Sequence, residues 1–359
     1  MTFVPDAPKM EEKERREALM NGIYKTLLSL MDREQDAVLA VITEEEGSSP
    51  RGTGAQMLAG PEGLAAGTIG GGAAEGSALE LAADLLREGR SERRTFRLRW
   101  DPKAKENPVC GGEIGVFLQY IPSSGPWRAV IEALVGRQEE KAPCWLVLRL
   151  DGGLPGLLDE KGRLLSGALP ESSACLTACR PVLTEDLFSL PVLPGERAVI
   201  FGGGHCSHAL APLLETVGFR VTVFDDRPEF ANRERFPTAE RVIVGDYLRI
   251  RDALTLNGDD YAIVMTTGHQ HDFAVLEQIL RGPLAYAGVI GSRTKTAYVN
   301  QRLREAGIPE EVIQSVHSPI GTAIRAATPE EIAVSIAGEL ILCRALRRGD
   351  AGKHACPVS

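Results

Sequence analysis

In the second half of the chain, short apolar runs alternate with stretches whose apolar residues recur at helical spacing. The pattern predicts strands at 197–201, 220–224, 241–244, 261–265 and 285–290. Helices are predicted between them at 205–217, 246–255, 273–281 and 294–306. Repeated strand–helix–strand units of this kind make a parallel, doubly wound α/β sheet with right-handed crossovers. A last helix is predicted from Thr328-Pro329-Glu330-Glu331, where Thr and Glu have capping-box spacing and Pro takes the first helical position. It runs to about Arg348, with Ile332, Ile336, Leu340 and Cys343 on one apolar stripe.

The first half is less regular. Residues 9–32 read as an amphipathic helix with Ile23, Leu27, Leu28 and Leu30 on its apolar side. Ala37 to Thr43 is a short buried strand, and two short strands meet at the turn Gly60-Pro61-Glu62-Gly63. A helix spans 73–88. Arg94 to Trp100 then alternates, with Phe96, Leu98 and Trp100 on one face and Thr95, Arg97 and Arg99 on the other. That is a half-buried strand with a basic outer face. A strand at 113–121, a helix at 127–139 and a strand at 145–150 complete a mixed α+β domain with a partly antiparallel sheet. Pro181, Pro191, Pro194 and Gly195 mark a boundary within 181–196, which assigns 1–190 to the N-terminal domain and 191–359 to the C-terminal one.

Composition adds exclusions. The 359 residues are 43% hydrophobic and 25% charged, as in ordinary globular chains of two domains. A net charge of -9 argues against general nucleic-acid binding. No apolar stretch approaches the ~20 residues of a membrane helix, and Met1 to Arg16 is too polar for a signal peptide. Seven cysteines without a Cys-x-x-Cys pair suggest free thiols in a reducing cytoplasm rather than a disulfide framework.

Two glycine-rich turns carry the candidate chemistry. Gly202-x-Gly204-x-x-Ser207 follows a predicted strand and opens a helix, close to the Gly-x-Gly-x-x-Gly turn of Rossmann-type dinucleotide sites. Asp225 and Asp226 end the next strand, where a ribose-binding acid belongs. The alternative is a Rossmann turn kept without a ligand. Gly67-Thr68-Ile69-Gly70-Gly71-Gly72 is either a second anion cradle or a tight turn needing positive φ. Glu75, in the following helical turn, reads on its own as a macrodipole partner.

Cys110 precedes Gly111 and Gly112 and follows Arg97, Arg99, Lys103 and Lys105. It is either a metal-binding thiolate or a buried loop cysteine. His269-Gln270-His271-Asp272 lies past a strand end, lining the crevice or, through His-x-His, binding metal. Arg293 and Lys295 open a helix, where cations either counter a bound anion or are merely solvated. His205, Ser292, Ser49 and Arg51 sit in or beside these turns.

Together these segments resemble the XdhC/CoxI family. The first half matches in Gly47-Ser48-Ser49-Pro50-Arg51, Gly67 to Gly72, Glu75 and Cys110-Gly111-Gly112. The second half matches in Phe201 to His205, Val223-Phe224-Asp225-Asp226-Arg227, Val289-Ile290-Gly291-Ser292-Arg293, Ser318-Pro319-Ile320-Gly321 and Thr328 to Ala333. The resemblance implies a molybdenum-cofactor (molybdopterin) chaperone. Such a protein holds the cofactor while an oxo group is exchanged for sulfido, and delivers it to xanthine dehydrogenase or a related molybdenum hydroxylase. It also implies a cysteine desulfurase partner and a homodimer. Residue reading and resemblance together give as candidate cofactor-binding residues Ser49, Arg51, Gly70, Gly71, Gly72, Glu75, Cys110, Gly202, Gly204, His205, Asp225, Asp226, His269, Ser292 and Arg293, with Cys110 as metal ligand. Val109 and Ala73 stand where some relatives have further cysteines. Two other classes compete: an NAD(P)-dependent oxidoreductase using the C-terminal domain, and an adaptor whose Rossmann domain is empty.

Overall fold

The computed structural model describes residues 12–47, 49–97, 112–170 and 176–348. The chain divides into two compact units, Met1–Pro194 and Gly195–Ser359.

Unit 1 contains α1 (Glu12–Asp32), β1 (Ala37–Glu46), β2 (Gln56–Gly60), β3 (Gly63–Gly67), α2 (Gly72–Glu88), β4 (Glu92–Arg97), β5 (Glu113–Ile121) and α3 (Trp127–Glu139). It continues with β6 (Cys144–Arg149), β7 (Gly156–Leu158), β8 (Leu164–Gly167), β9 (Val182–Leu183) and β10 (Leu187–Val192). The strands form two sheets, in the orders β3-β2-β1-β5-β4 and β8-β7-β6-β10-β9. Every pairing in both is antiparallel. Ala37 to Thr43 is buried throughout because β1 is covered on both faces. Leu39 and Val41 join α1 and α3 in one core, while Val38, Ala40 and Ile42 join α2 in another. That explains why β1 reads as a continuous apolar run rather than an alternating one.

Unit 2 contains β11 (Arg197–Phe201), α4 (His205–Thr216), β12 (Arg220–Asp225), β13 (Arg241–Val244), β14 (Tyr261–Val264) and α5 (His269–Ile279). β15 (Tyr286–Val289), α6 (Arg293–Glu305), α7 (Glu310–Gln314) and α8 (Pro329–Arg348) follow. Its sheet is parallel throughout, in the order β13-β12-β11-β14-β15. The chain steps one way from β11 to β13 and then restarts on the other side at β14. That reversal is the topological switch point of a Rossmann sheet. Ile200, Val221 and Val223 pack with α4 and α8 on one face. Val199, Phe201 and Val264 pack with α5, α6 and α7 on the other.

Two local expectations need correcting. Residues 246–255 form only a single 3-10 turn, Ile250–Asp252. The Gln278 side chain of α5 accepts from Ile250 N at 3.1 Å and donates to Tyr247 O at 2.7 Å, replacing the partners a helix would supply. α5 starts at His269 rather than 273. The window 181–196, where the two units divide at Pro194 and Gly195, also holds β9 and β10, with Phe188 and Leu190 in the core. No helix among the described residues is long and apolar enough to cross a membrane.

Candidate functional site

The switch point places the Gly202–Ser207 turn between β11 and α4. Gly202 has φ +108°, and a Cβ there would lie 2.3 Å from Met265 O, so both conformation and space demand glycine. Gly203 presses against Phe230 O in the same way. Ser207 replaces the third glycine because its hydroxyl donates back to Gly202 O within the tight helix–strand contact. Gly204 differs from its neighbours: it caps α4 with φ −68°, and a Cβ would meet nothing within 4 Å. The N–H groups of Gly204, His205 and Cys206 find no partner among the described residues, and they lie at the positive end of α4. An anion is the partner this geometry suits.

Gly202→Ala is therefore expected to cost about 2–4 kcal/mol of unit 2 stability, summing the φ strain and the backbone clash. Gly204→Val should stay within about 1 kcal/mol, the scale of a cap substitution. Urea unfolding of the two variants checks the contrast; equal midpoints would contradict it.

Asp225, at the end of β12, has no solvent exposure. Its carboxylate accepts from Gly203 N (2.7 Å), Arg227 N (3.0 Å), Arg227 Nε (2.9 Å) and Arg227 Nη2 (3.1 Å). Burial pushes its pKa up, but these donors outweigh burial and hold it below the ordinary value. Its present task is thus internal, tying the glycine turn to β12. Asp226 retains 35% side-chain exposure, 3.6 Å from Arg227 Nε. Burial and the adjacent Asp225 carboxylate raise its pKa.

Past β14, Gly268 caps α5 with φ +101°. His269 is the first residue of α5, and His271 packs its ring 5.1 Å from that of Tyr247. Asp272 is wholly buried and takes the Thr266 hydroxyl and the Lys295 ammonium. Burial still raises its pKa against those partners. The Lys295 charge is thus met by Asp272 inside the protein. Past β15, the Ser292 hydroxyl caps α6 by accepting from Lys295 N at 3.3 Å, and Arg293 is the first helical residue.

In unit 1 the second glycine turn is filled by its own side chain. Glu75 Oε2 accepts from the Thr68 hydroxyl (2.5 Å), Ile69 N (3.1 Å) and Gly71 N (3.1 Å). Gly70 N donates to Thr68 Oγ1 at 3.0 Å. The nest holds an anion, but that anion is Glu75. A Cβ on Gly70 would lie 2.6 Å from Pro50, so the 49–52 loop packs directly on this turn. Buried Ser49 donates to Arg51 O at 2.5 Å, with Glu45 Oε2 2.9 Å away. Arg51 is exposed, and so is Gly72 at the start of α2. Cys110 lies outside the described residues. Arg97 pairs with Glu113 at 3.1 Å, which compensates part of the basic charge read upstream of it.

The structure gathers Gly202, Gly204, His205, Asp225, Asp226, His269, Ser292 and Arg293 at the carboxyl ends of the unit 2 strands. It gathers Ser49, Arg51, Gly70, Gly71, Gly72 and Glu75 around one turn of unit 1. Sequence reasoning missed Tyr247 and the roles of Asp272 and Lys295. An acid three residues into a helix after a strand was the available signal for Asp272; Tyr247 carried none.

A parallel sheet with a glycine turn at its switch point defines unit 2 as a Rossmann domain. Residues 198–340 match the XdhC Rossmann domain, and residues 30–98 match the XdhC and CoxI family. The chain belongs to the XdhC/CoxI family. It is 27% identical over 335 residues to a Bacillus subtilis (strain 168) protein named as a probable xanthine dehydrogenase subunit, covering 90% of this chain and 98% of that one. It is 24% identical over 333 residues to the molybdenum cofactor insertion chaperone PaoD of Escherichia coli (strain K12), covering 91% and 86%. Against YqeB of the same strain it is 24% identical over 321 residues, 89% of this chain but only 46% of that longer protein. A crystal structure of a Bacillus halodurans protein described as a xanthine dehydrogenase superposes with a TM-score of 0.76 at 26% identity, covering 91% of this chain and 97% of that one.

Proposed function

We propose that this chain binds the molybdenum cofactor and assists its maturation and insertion into xanthine dehydrogenase or a related molybdenum hydroxylase. The observation that carries this reading is the similarity to PaoD, an insertion chaperone by name, across 91% of the chain. The relative named for xanthine dehydrogenase points to the same class of client. The cofactor is cargo here, and its phosphate suits the free N–H groups at Gly204, His205 and Cys206. Cys110 is the proposed thiolate ligand. Of the described thiols, burial pushes Cys144 up to about 11 and raises Cys206 and Cys343, so these three are poor thiolates.

A cysteine desulfurase as sulfur donor, a cytoplasmic location and a homodimer complete the reading. α8 offers a face for a second copy. Val334, Ile341, Leu342 and Leu346 are exposed along it, and Gly338 between them has only Thr322 Oγ1, at 3.9 Å, near a would-be Cβ. A mid-helix glycine with no close neighbour in its own chain suits close approach by another helix.

Analysis of the ligand released from purified protein tests the proposal. A pterin with molybdenum is the expected result, and light scattering of the same sample should give the dimer mass. NAD(P) alone, or no ligand after expression in a cofactor-producing host, would contradict it.

A further inference from the structure

We propose, on the reading that α8 is the face for a second copy, that two α8 helices meet antiparallel about a two-fold axis, with Leu342 of each chain seated in the notch over Gly338 of the other. α8 carries apolar side chains on both of its faces. Ala333, Ile336, Ala337 and Leu340 pack into the core of unit 2. On the far side Val334 is 54% exposed, Leu342 57% and Leu346 69%, and Ile341 and Ile324, the latter in the preceding loop, are exposed as well. Half of the large apolar side chains exposed among the described residues lie on this one patch. A helix that is apolar all round belongs in an interior, and a large exposed apolar patch marks an interaction surface.

The order of residues along that face sets the register. Val334, Gly338, Leu342 and Leu346 are spaced by four and so form one ridge along the helix. Glycine inside a helix is unfavourable, and Gly338 has only Thr322 Oγ1, at 3.9 Å, near a would-be Cβ. It is a notch in the ridge that its own chain leaves open. A two-fold axis level with Leu340 sets position 338 against position 342 of the other chain, and 334 against 346. Each notch then receives a leucine. A parallel pair would set Leu342 against Leu342 and Gly338 against Gly338, a collision beside a void. The end charges agree. Glu330 and Glu331 open α8, and Arg347 and Arg348 close it. Antiparallel packing brings unlike ends together and opposes the two helix dipoles. A face complementary to itself fits a second copy of the chain, because a two-fold contact uses the same patch twice.

The direction of α8 relates this interface to the glycine turn. Arg344 donates to Val217 O, just past the end of α4, at 2.9 Å. At the start of α4, burial and then the Glu330 charge raise the Cys206 thiol. The two helices thus run side by side in the same direction, and the start of α8 lies at the glycine-turn end of the sheet. An antiparallel pair sends the two Gly202–Ser207 turns to opposite ends of the interface. Each chain then holds a ligand at its own turn, one per chain.

Light scattering of the full-length chain reads the interface. Wild type should be a dimer. Leu342→Ala should raise the dimer dissociation constant at least about tenfold, because a two-fold contact loses the buried leucine twice. Gly338→Leu should give a monomer with wild-type helix content by circular dichroism, since the added side chain fills only the open notch. Cross-linking reads the direction. Val334→Cys and Leu346→Cys chains are treated with a short bismaleimide, alone and co-expressed, beside wild type as the control for the native thiols. In the antiparallel pair the two copies of position 334 lie about 18 Å apart along the helices. A dimer band above the wild-type level should therefore form only from the co-expressed chains. Strong bands from each variant alone, or none from the co-expressed pair, would overturn the antiparallel register and leave the reading of α8 as a dimer face standing. A wild-type dimer that Gly338→Leu and Leu342→Ala leave intact would overturn the interface. A wild-type monomer would overturn both this inference and the dimer reading.

Discussion

Asp225→Ala is expected to lower the stability of unit 2 by about 2–4 kcal/mol. Breaking a buried, hydrogen-bonded pair costs about 3–5 kcal/mol because the remaining charge is stranded. Arg227 keeps 33% of its side-chain exposure, so water recovers part of that loss. Gly203 N also loses its partner, inside a turn that has no room to rearrange against Phe230 O. The same network sets a pH dependence. The folded pKa of Asp225 lies below its ordinary value, so its contribution is present above the unfolded value of ~3.9 and lost as pH falls through the folded one. Asp272 has the opposite sign: its raised pKa favours the protonated form in the fold, so its contribution declines as pH rises from ~3.9 through the raised value. Urea unfolding at pH 7 and pH 3 should therefore show the wild-type advantage over Asp225→Ala shrinking in acid. A loss under about 1 kcal/mol at pH 7, or one unchanged at pH 3, would count against this account of the turn.

Cys110→Ser has the larger functional consequence. Serine keeps the size but replaces a soft sulfur with a hard oxygen, and soft metal centres prefer thiolate. The variant should fold with the wild-type melting temperature. It should hold several-fold less molybdenum per chain and activate a partner hydroxylase poorly. Elemental analysis of the two purified proteins decides the point. Wild-type molybdenum content with full activation would return Cys110 to an ordinary loop cysteine.

What was legible in the sequence follows from how local each signal is. The inner strands β11, β12 and β14 of unit 2 are short, largely apolar runs because both faces of the sheet are covered there, and the pattern alone located them. The start of α8 was legible because its capping box is written in four consecutive residues. Glu331 N donates to Thr328 Oγ1 at 3.2 Å, and Thr328 N donates to Glu331 Oε2 at 3.0 Å. Of the second sheet of unit 1, only β6 was legible, as the strand expected at 145–150. β7, β8 and β9 are two to four residues long, and Leu164 and Leu165 are both exposed, which erases the alternation. The turn at Ile250 was misread because its partner, Gln278, comes from a distant helix.

The candidate site divides along the same line. The glycine turn, its small third residue and the acidic pair are local, and sequence placed them. Which acid is buried is not local, since Arg227 and Gly203 together decide it. The glycine turn of unit 1 looked like an open cradle because sequence cannot show that Glu75 bends back into it.

The central claim is that this chain carries the molybdenum cofactor to an enzyme. The most direct test loads the purified chain with cofactor and mixes it with a cofactor-free molybdenum hydroxylase from the same cell. Hydroxylase activity should rise in proportion to the loaded chain added, beyond the rise from an equal amount of free cofactor. Activity no greater than free cofactor gives, from a chain verified to be loaded, would contradict the claim.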